Sequence, residues 1–320
     1  MQTSQSILFN GLGRLRSGWR ATIFVVAFIL VSAVLSLAAY GILLAIGVRP
    51  ERGGPAFLIL NGILALGPAL LIGGLCGRFL EGLPYRALGA SLTKRWLSHF
   101  LLGCIAGAAT LSFGVAIAAA FGGLKFNYDA DAGTTAIVTS LAMSFLVFAV
   151  AAAFEEALFR GYVLQTFSRA GLAWLAILLT SIFFGAVHLG NPGATVFSTI
   201  NTILAGIWFS IAYLKTRDLW FVWGMHLMWN WMQGSFFGIE VSGLTSISTS
   251  PFLKEIDKGP AWLTGTTYGI EAGIVSTIAL ILSTLVIHFL PIARPDHEML
   301  ALTSEPAPEV AIIESGNEVN

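Results

Sequence analysis

About eight stretches of this chain are apolar over the ~17–25 residues a helix needs to cross the hydrocarbon core of a bilayer. They run near 21–47, 56–77, 97–121, 134–165, 172–189, 194–214, 219–237 and 267–290. Gly53-Gly54-Pro55, Asn191-Pro192-Gly193 and Lys258-Gly259-Pro260 punctuate them as turns. The 320 residues are 56% hydrophobic and 11% charged, too apolar for a soluble domain. The expected fold class is therefore all-α, a polytopic membrane helical bundle of about eight transmembrane helices.

Basic residues fall unevenly on alternate sides of these spans. One side collects Arg14, Arg16, Arg20, Arg78, Arg86, Lys94, Arg95, Arg160, Arg169, Lys215, Arg217 and Arg294; the other holds Arg49, Arg52, Lys125, Lys254 and Lys258. Positive charge stays inside, so both termini are expected in the cytoplasm and the span count is even. The run 21–48 is too long for a signal-peptide core of ~7–15 residues. The expected organisation is a cytoplasmic N-terminal segment 1–20, N-terminal membrane helices 21–125, a central membrane core 134–237, an extracytoplasmic loop 238–266, a last membrane helix 267–290, and a disordered acidic cytoplasmic tail 291–320. Two cysteines and no organellar signal point to a bacterial inner (cell) membrane.

Several function classes are excluded. Formal net charge is zero, which gives no electrostatic case for nucleic acid. There is no Walker loop, Rossmann fingerprint or HExxH zinc motif. Cys76 and Cys104 stand alone in apolar segments as small core hydrophobes.

Glu155 and Glu156 carry the chemistry. They follow an uncharged run, 134–154, and a charge in that setting costs at least ~2.5–3.5 kcal/mol on insertion scales. Such acids persist where they face a bundle interior or a wet cavity and do work there. Glu156 and Arg160 are i, i+4 and share a face; Glu155 points about 100° away and stays free. Phe184-x-x-x-His188 and His226-x-x-x-Asn230 repeat the i, i+4 spacing in later spans. A hairpin centred between Gly171 and Leu172 puts Glu155 and His188 level, each about 25 Å from the turn. His226 lies about 13 Å from its own turn at Arg217, a mismatch that shrinks if the segment 160–169 projects into the cytosol, with the site in the cytoplasmic half of the bilayer. A carboxylate and an imidazole beside water form a general-base system. An amide and a second imidazole can donate to an oxyanion. No serine or cysteine is placed as a nucleophile; Ser181 is two turns from His188.

Together, FEEALFRGYVLQ, FFGAVHLG and GMHLMWN resemble the CAAX prenyl endopeptidase and bacteriocin-processing family of glutamate-type intramembrane proteases, over residues 134–234. The resemblance implies that Glu155 and His188 activate water, that His226 and Asn230 stabilise the oxyanion, that Glu156 assists and that Arg160 holds Glu156. It makes 134–237 a catalytic membrane core, with a site open to lipid and to the cytosol, acting on membrane-associated or lipidated peptides without a cofactor. Alternatives stay open. A divalent metal could be held by Glu155, His188 and His226. The chain could be a transporter, or a non-catalytic bacteriocin-immunity or membrane scaffold protein. Trp220, Trp223, Trp229 and Trp231 read as an interfacial belt, Glu271 as a helix N-terminal acid, and His99, His288 and His297 as solvated residues at span ends. Oligomeric state is not legible.

Overall fold

Among the described residues, six helices are long and apolar enough to cross a membrane: Ser17–Ala45, Pro55–Glu81, Trp96–Ala120, Thr134–Ser168, Ala173–Gly190 and Val196–Thr216. The structure, a computed structural model, describes residues 7–11, 13–128, 132–244 and 247–304. In chain order the helices are α1 (Ser17–Ala45), α2 (Pro55–Glu81), α3 (Trp96–Ala120), α4 (Thr134–Glu156), α5 (Leu164–Ser168), α6 (Ala173–Val187), α7 (Val196–Thr216), α8 (Leu219–Trp231), α9 (Ala261–Thr264), α10 (Ile274–Phe289) and α11 (His297–Thr303). A π-helical segment, Ala157–Val163, joins α4 to α5, and a second, Met232–Phe236, continues α8. Among the described residues the fold is an all-α bundle with one small antiparallel sheet, β1 (Leu124–Tyr128) on β2 (Leu253–Asp257).

Of the two expected spans outside the six, α10 is a shorter apolar helix of 16 residues, while α8 with its π continuation reaches Phe236 but is diluted by His226, Asn230, Gln233 and four tryptophans. Asp218 starts α8 from inside the bundle, capping the Trp220 N–H at 2.7 Å while its other oxygen bonds His99 Nδ1 at 2.7 Å. His99 is thus buried in a pair rather than solvated; His288 and His297 are exposed. Elsewhere the helix signals are local. Pro55 opens α2, where a missing N–H costs nothing, and Thr195 with Ser198 forms a capping box on α7.

Helix packing is closest between α3 and α8. A Cβ on Gly103 would overlap the Phe221 carbonyl oxygen, and one on Gly107 the Met225 carbonyl oxygen. These glycines therefore let two backbones touch, the small-xxx-small solution for membrane helices. The core runs through Leu111, Tyr162, Trp208, Phe209, Tyr213, Phe221 and Met225. Outward-facing Ile29, Leu37, Leu101, Phe183 and Leu285 are exposed, as expected of a surface that meets lipid rather than water.

One end of the bundle carries the turns at 168–172 and 217–218; the other carries the sheet. At the turn end Glu81 accepts from Arg20 at 2.6 Å and from Arg169 at 2.8 and 3.0 Å. Arg20 and Arg169, counted among the basic residues of the expected cytoplasmic side, have buried side chains there, with α1, α2 and α5 tied together. Lys215 Nζ donates to the carbonyls of His288 and Leu290, so α1 begins and α10 finishes at this same end. The expected tail starts with structure: α11 buries Met299 and Thr303, and Glu298 pairs with Arg86 at 2.5 Å. Residues 305–320 lie outside the described residues. The expected loop 238–266 folds back over the bundle, with Val241 and Ile247 packed on Val147, Phe148 and Leu227.

Candidate active site

α4 delivers two adjacent carboxylates in opposite settings. Glu156 is 1% exposed, and its Oε1 accepts from Arg160 Nη1 at 3.1 Å and from His226 Nδ1 at 2.8 Å. The Glu156–Arg160 pairing expected from spacing is present; the bond to His226 joins residues 70 apart in the chain, which local spacing does not show. Arg160 is fully buried, its Nη2 on the Gly206 carbonyl at 3.0 Å and its guanidinium 4.6 Å from the Phe184 ring and 5.1 Å from that of Phe209. It is no cytosolic charge, as the sorting of basic residues had it, but the pin between α4, α6 and α7.

Glu155 faces the other way. Its Oε2 lies 3.9 Å from His188 Nε2 and 3.9 Å from His226 Nε2, and makes no hydrogen bond among the described residues. His188 Nδ1 sits 2.6 Å from the Phe184 carbonyl, which can only accept, so Nδ1 is the donor and Nε2 turns to Glu155. In the same way His226 Nδ1 donates to Glu156, leaving its Nε2 towards Glu155. Phe184 is the wall between them, 4.8 Å from the His188 ring and 6.0 Å from that of His226. Phe209 stacks on His226 at 4.7 Å.

Glu155, Phe184, His188, His226 and Asn230 line one cavity of about 530 Å³. The mismatch in depth has a physical origin. Gln165 Nε2 bonds the Tyr213 hydroxyl and the Leu88 carbonyl, and Leu219 N–H bonds Gly89. Gln165 is therefore level with the turn at 217–218, and the turn at 168–172 extends roughly 9 Å beyond it. That recovers most of the difference between the two helix counts.

Residues 137–232 match the family model described as type II CAAX prenyl endopeptidase Rce1-like. The match to that family covers 96 of the 320 residues, from 137 to 232. Members of that family are proteases, and with six apolar crossing helices the chain is an integral membrane protein. No curated protein matches the chain.

The Rce1-like segment contains every expected site residue, yet the cavity extends past it. Ser36 of α1 and Leu58 and Asn61 of α2 line one flank; Ser242 and Glu271 line the sheet-end flank. Glu271 was expected as a helix N-terminal acid. It sits instead in a 3₁₀ turn, Ile270–Ala272, before α10 and faces the cavity. A carboxylate just ahead of an apolar run was the available signal, but the run's hydropathy cannot show that the turn folds inward. The tryptophans, expected as a belt, also make internal bonds. Trp220, Trp223 and Trp231 donate to the carbonyls of Ser91, Ala149 and Leu141, and Trp229 is buried against the cavity. For the metal alternative, the described residues contain no group of three His, Cys, Asp or Glu side chains placed to hold an ion.

Proposed function

We propose that the protein is an intramembrane endopeptidase that hydrolyses peptide bonds of membrane-associated or lipidated peptides, with water activated by Glu155 and His188. The observation that carries this is Glu155 Oε2, at 3.9 Å from each of two imidazole nitrogens in one cavity. That spacing is too long for a direct hydrogen bond and suits one water molecule bridging the carboxylate and His188. Glu155 takes the water's proton as oxygen attacks the scissile carbonyl. The C–O bond forms, the carbonyl becomes an oxyanion, and the same proton passes to the leaving amine as the C–N bond breaks.

Asn230 and His226 are suited to the oxyanion. Since Nδ1 of His226 donates to Glu156, its Nε2 can donate to an oxyanion only as the imidazolium, and Glu156 is the counter-ion that form requires. Arg160 then fixes Glu156. Phe184, Phe209 and Trp208 keep the site apolar, where such hydrogen bonds act with little competition from water. Glu155 is about 20 Å from Ser168 and about 32 Å from Thr134 along its helix, which supports a site nearer the turn end. We read that end, where basic residues gather, as cytoplasmic together with both termini, and the membrane, from the two cysteines and the lack of an organellar signal, as a bacterial inner one.

The test is cleavage of membrane-delivered peptides by the wild type and by Glu155→Gln, which keeps the shape and removes the base. Activity should fall by ~10²–10⁴. Full activity in correctly inserted Glu155→Gln protein refutes the assignment, and no cleavage by either protein favours a non-catalytic scaffold.

A further inference from the structure

The cavity holds a second carboxylate that the proposed chemistry leaves unused. Glu271 Oε2 accepts from Ser242 N at 2.6 Å and from Ser242 Oγ at 2.8 Å, and Oε1 accepts from Trp229 Nε1 at 3.3 Å. Its backbone is fixed as well, since Asn201 Nδ2 donates to the Glu271 carbonyl at 2.8 Å and to that of Gly273 at 3.0 Å. A carboxylate offers about four acceptor sites. Three are filled, so the group is oriented by its neighbours with capacity left on the cavity side.

Within the cavity the nearest compensating charge is His188. Apart from Glu155 and Glu271, the titratable residues among the described lining are His188 and His226; no lysine or arginine is present. Arg160 is buried behind Phe184 and committed to Glu156 and Gly206. A carboxylate oriented in an apolar cavity without lysine or arginine is stabilised in its charged form by an entering cation, and it disfavours a second carboxylate in the same place.

Position follows from α8. Trp229, which bonds Glu271, is three residues past His226, ~4.5 Å further towards the sheet end. An extended peptide advances ~3.3 Å per residue. Glu271 therefore faces a substrate residue about one to three positions from the scissile bond.

We propose that Glu271 is a specificity-determining residue that selects a substrate carrying a lysine or arginine side chain one to three residues from the cleaved bond, and that rejects a carboxylate there. This rests on the protease reading of the same cavity. It also sets the chain apart from a site built for a free C-terminal carboxylate close to the scissile bond, since no cation waits to receive one.

The experiment uses the full-length protein in phosphatidylcholine nanodiscs and an acyl-anchored apolar peptide. Lysine, norleucine or glutamate is placed at each position in turn, and products are read by mass spectrometry. At one position wild type should favour lysine over glutamate in kcat/KM by about 100-fold or more, the scale of charge pairing against like-charge juxtaposition. Glu271→Gln should reduce that ratio to near unity while norleucine peptides are still cleaved. Ser242→Ala, which removes a donor but keeps the carboxylate, should retain the lysine preference, and the wild-type scan itself needs no variant to fold. A flat wild-type scan, or an undiminished preference in folded Glu271→Gln, overturns the proposal. A binding arm separates the two readings. Dansylated lysine and glutamate peptides are titrated onto Glu155→Gln and onto Glu155→Gln/Glu271→Gln. Lysine-selective binding that is lost in the double variant, with no cleavage by wild type, upholds Glu271 and removes the protease; charge-blind binding removes Glu271 alone.

Discussion

Asn230 is the residue whose role divides binding from catalysis most cleanly. If it donates to the oxyanion only, Asn230→Ala should lower kcat by ~10²–10³ with little change in substrate affinity. A defect confined to affinity, measured on the same peptide, would make it a substrate contact. Arg160 works through Glu156. Breaking a buried pair strands a charge at a cost of ~3–5 kcal/mol, whereas removing both partners can be nearly neutral. Arg160→Ala should therefore lose both thermal stability and activity, and Glu156→Gln with Arg160→Met should regain the stability. A stable, inactive Arg160→Ala protein would place the guanidinium in substrate binding instead. Much of this was legible from spacing, because i, i+4 pairs on one helix need no tertiary knowledge. The His226–Glu156 bond joins residues 70 apart in the chain, and nothing in either local pattern announces it.

At the scale of the helix, α8 owes its place to two glycines of its neighbour. Gly103-x-x-x-Gly107 on α3 was a readable signal that the hydropathy count passed over. Gly107→Ala would press on the backbone of Met225, next to His226. Overpacking of this kind costs ~1–3 kcal/mol, and a shift of ~1 Å in His226 would cost about 100-fold in rate. The expected outcome is a lower melting temperature together with a fall in kcat for Gly107→Ala. An unchanged kcat would show that α8 is positioned from its other side. Span length was the least legible quantity. Asp218 starts α8 inside the bundle, beside His99, and the helix keeps polar side chains along its length because it is buried among its neighbours, whereas α10 is the shorter apolar helix.

Across the whole molecule, α1 is mostly exposed and is held chiefly near its start, through Arg20 and through Phe24, which lies 5.4 Å from Tyr162. Glu81 is the shared partner that keeps Arg20 and Arg169 buried. Glu81→Ala leaves two buried cations and should destabilise the protein by ~3–5 kcal/mol, measured as an earlier thermal transition in detergent. A transition unchanged by Glu81→Ala would mean that water already reaches the cluster. The overall architecture was legible because lipid demands long apolar helices whatever their order. This cluster was not, because a positive-inside count treats every arginine near a span end as a solvated charge.

The two π segments each place an extra residue in a helix that carries site residues, one starting after Glu156 and running through Arg160, the other starting two residues past Asn230. Each extra residue works as a phase adjuster. On a regular helix, the face presented by 155–156 would dictate the face presented by 165 and 169, since every residue advances the ring of side chains by about 100°. The bulge breaks that dictation. Upstream residues can answer to the cavity and downstream residues to Glu81 and Tyr213, so substitutions in one half need not be matched in the other. Deleting a single residue within 157–163 would restore the regular winding and make the two halves compete for one rotation.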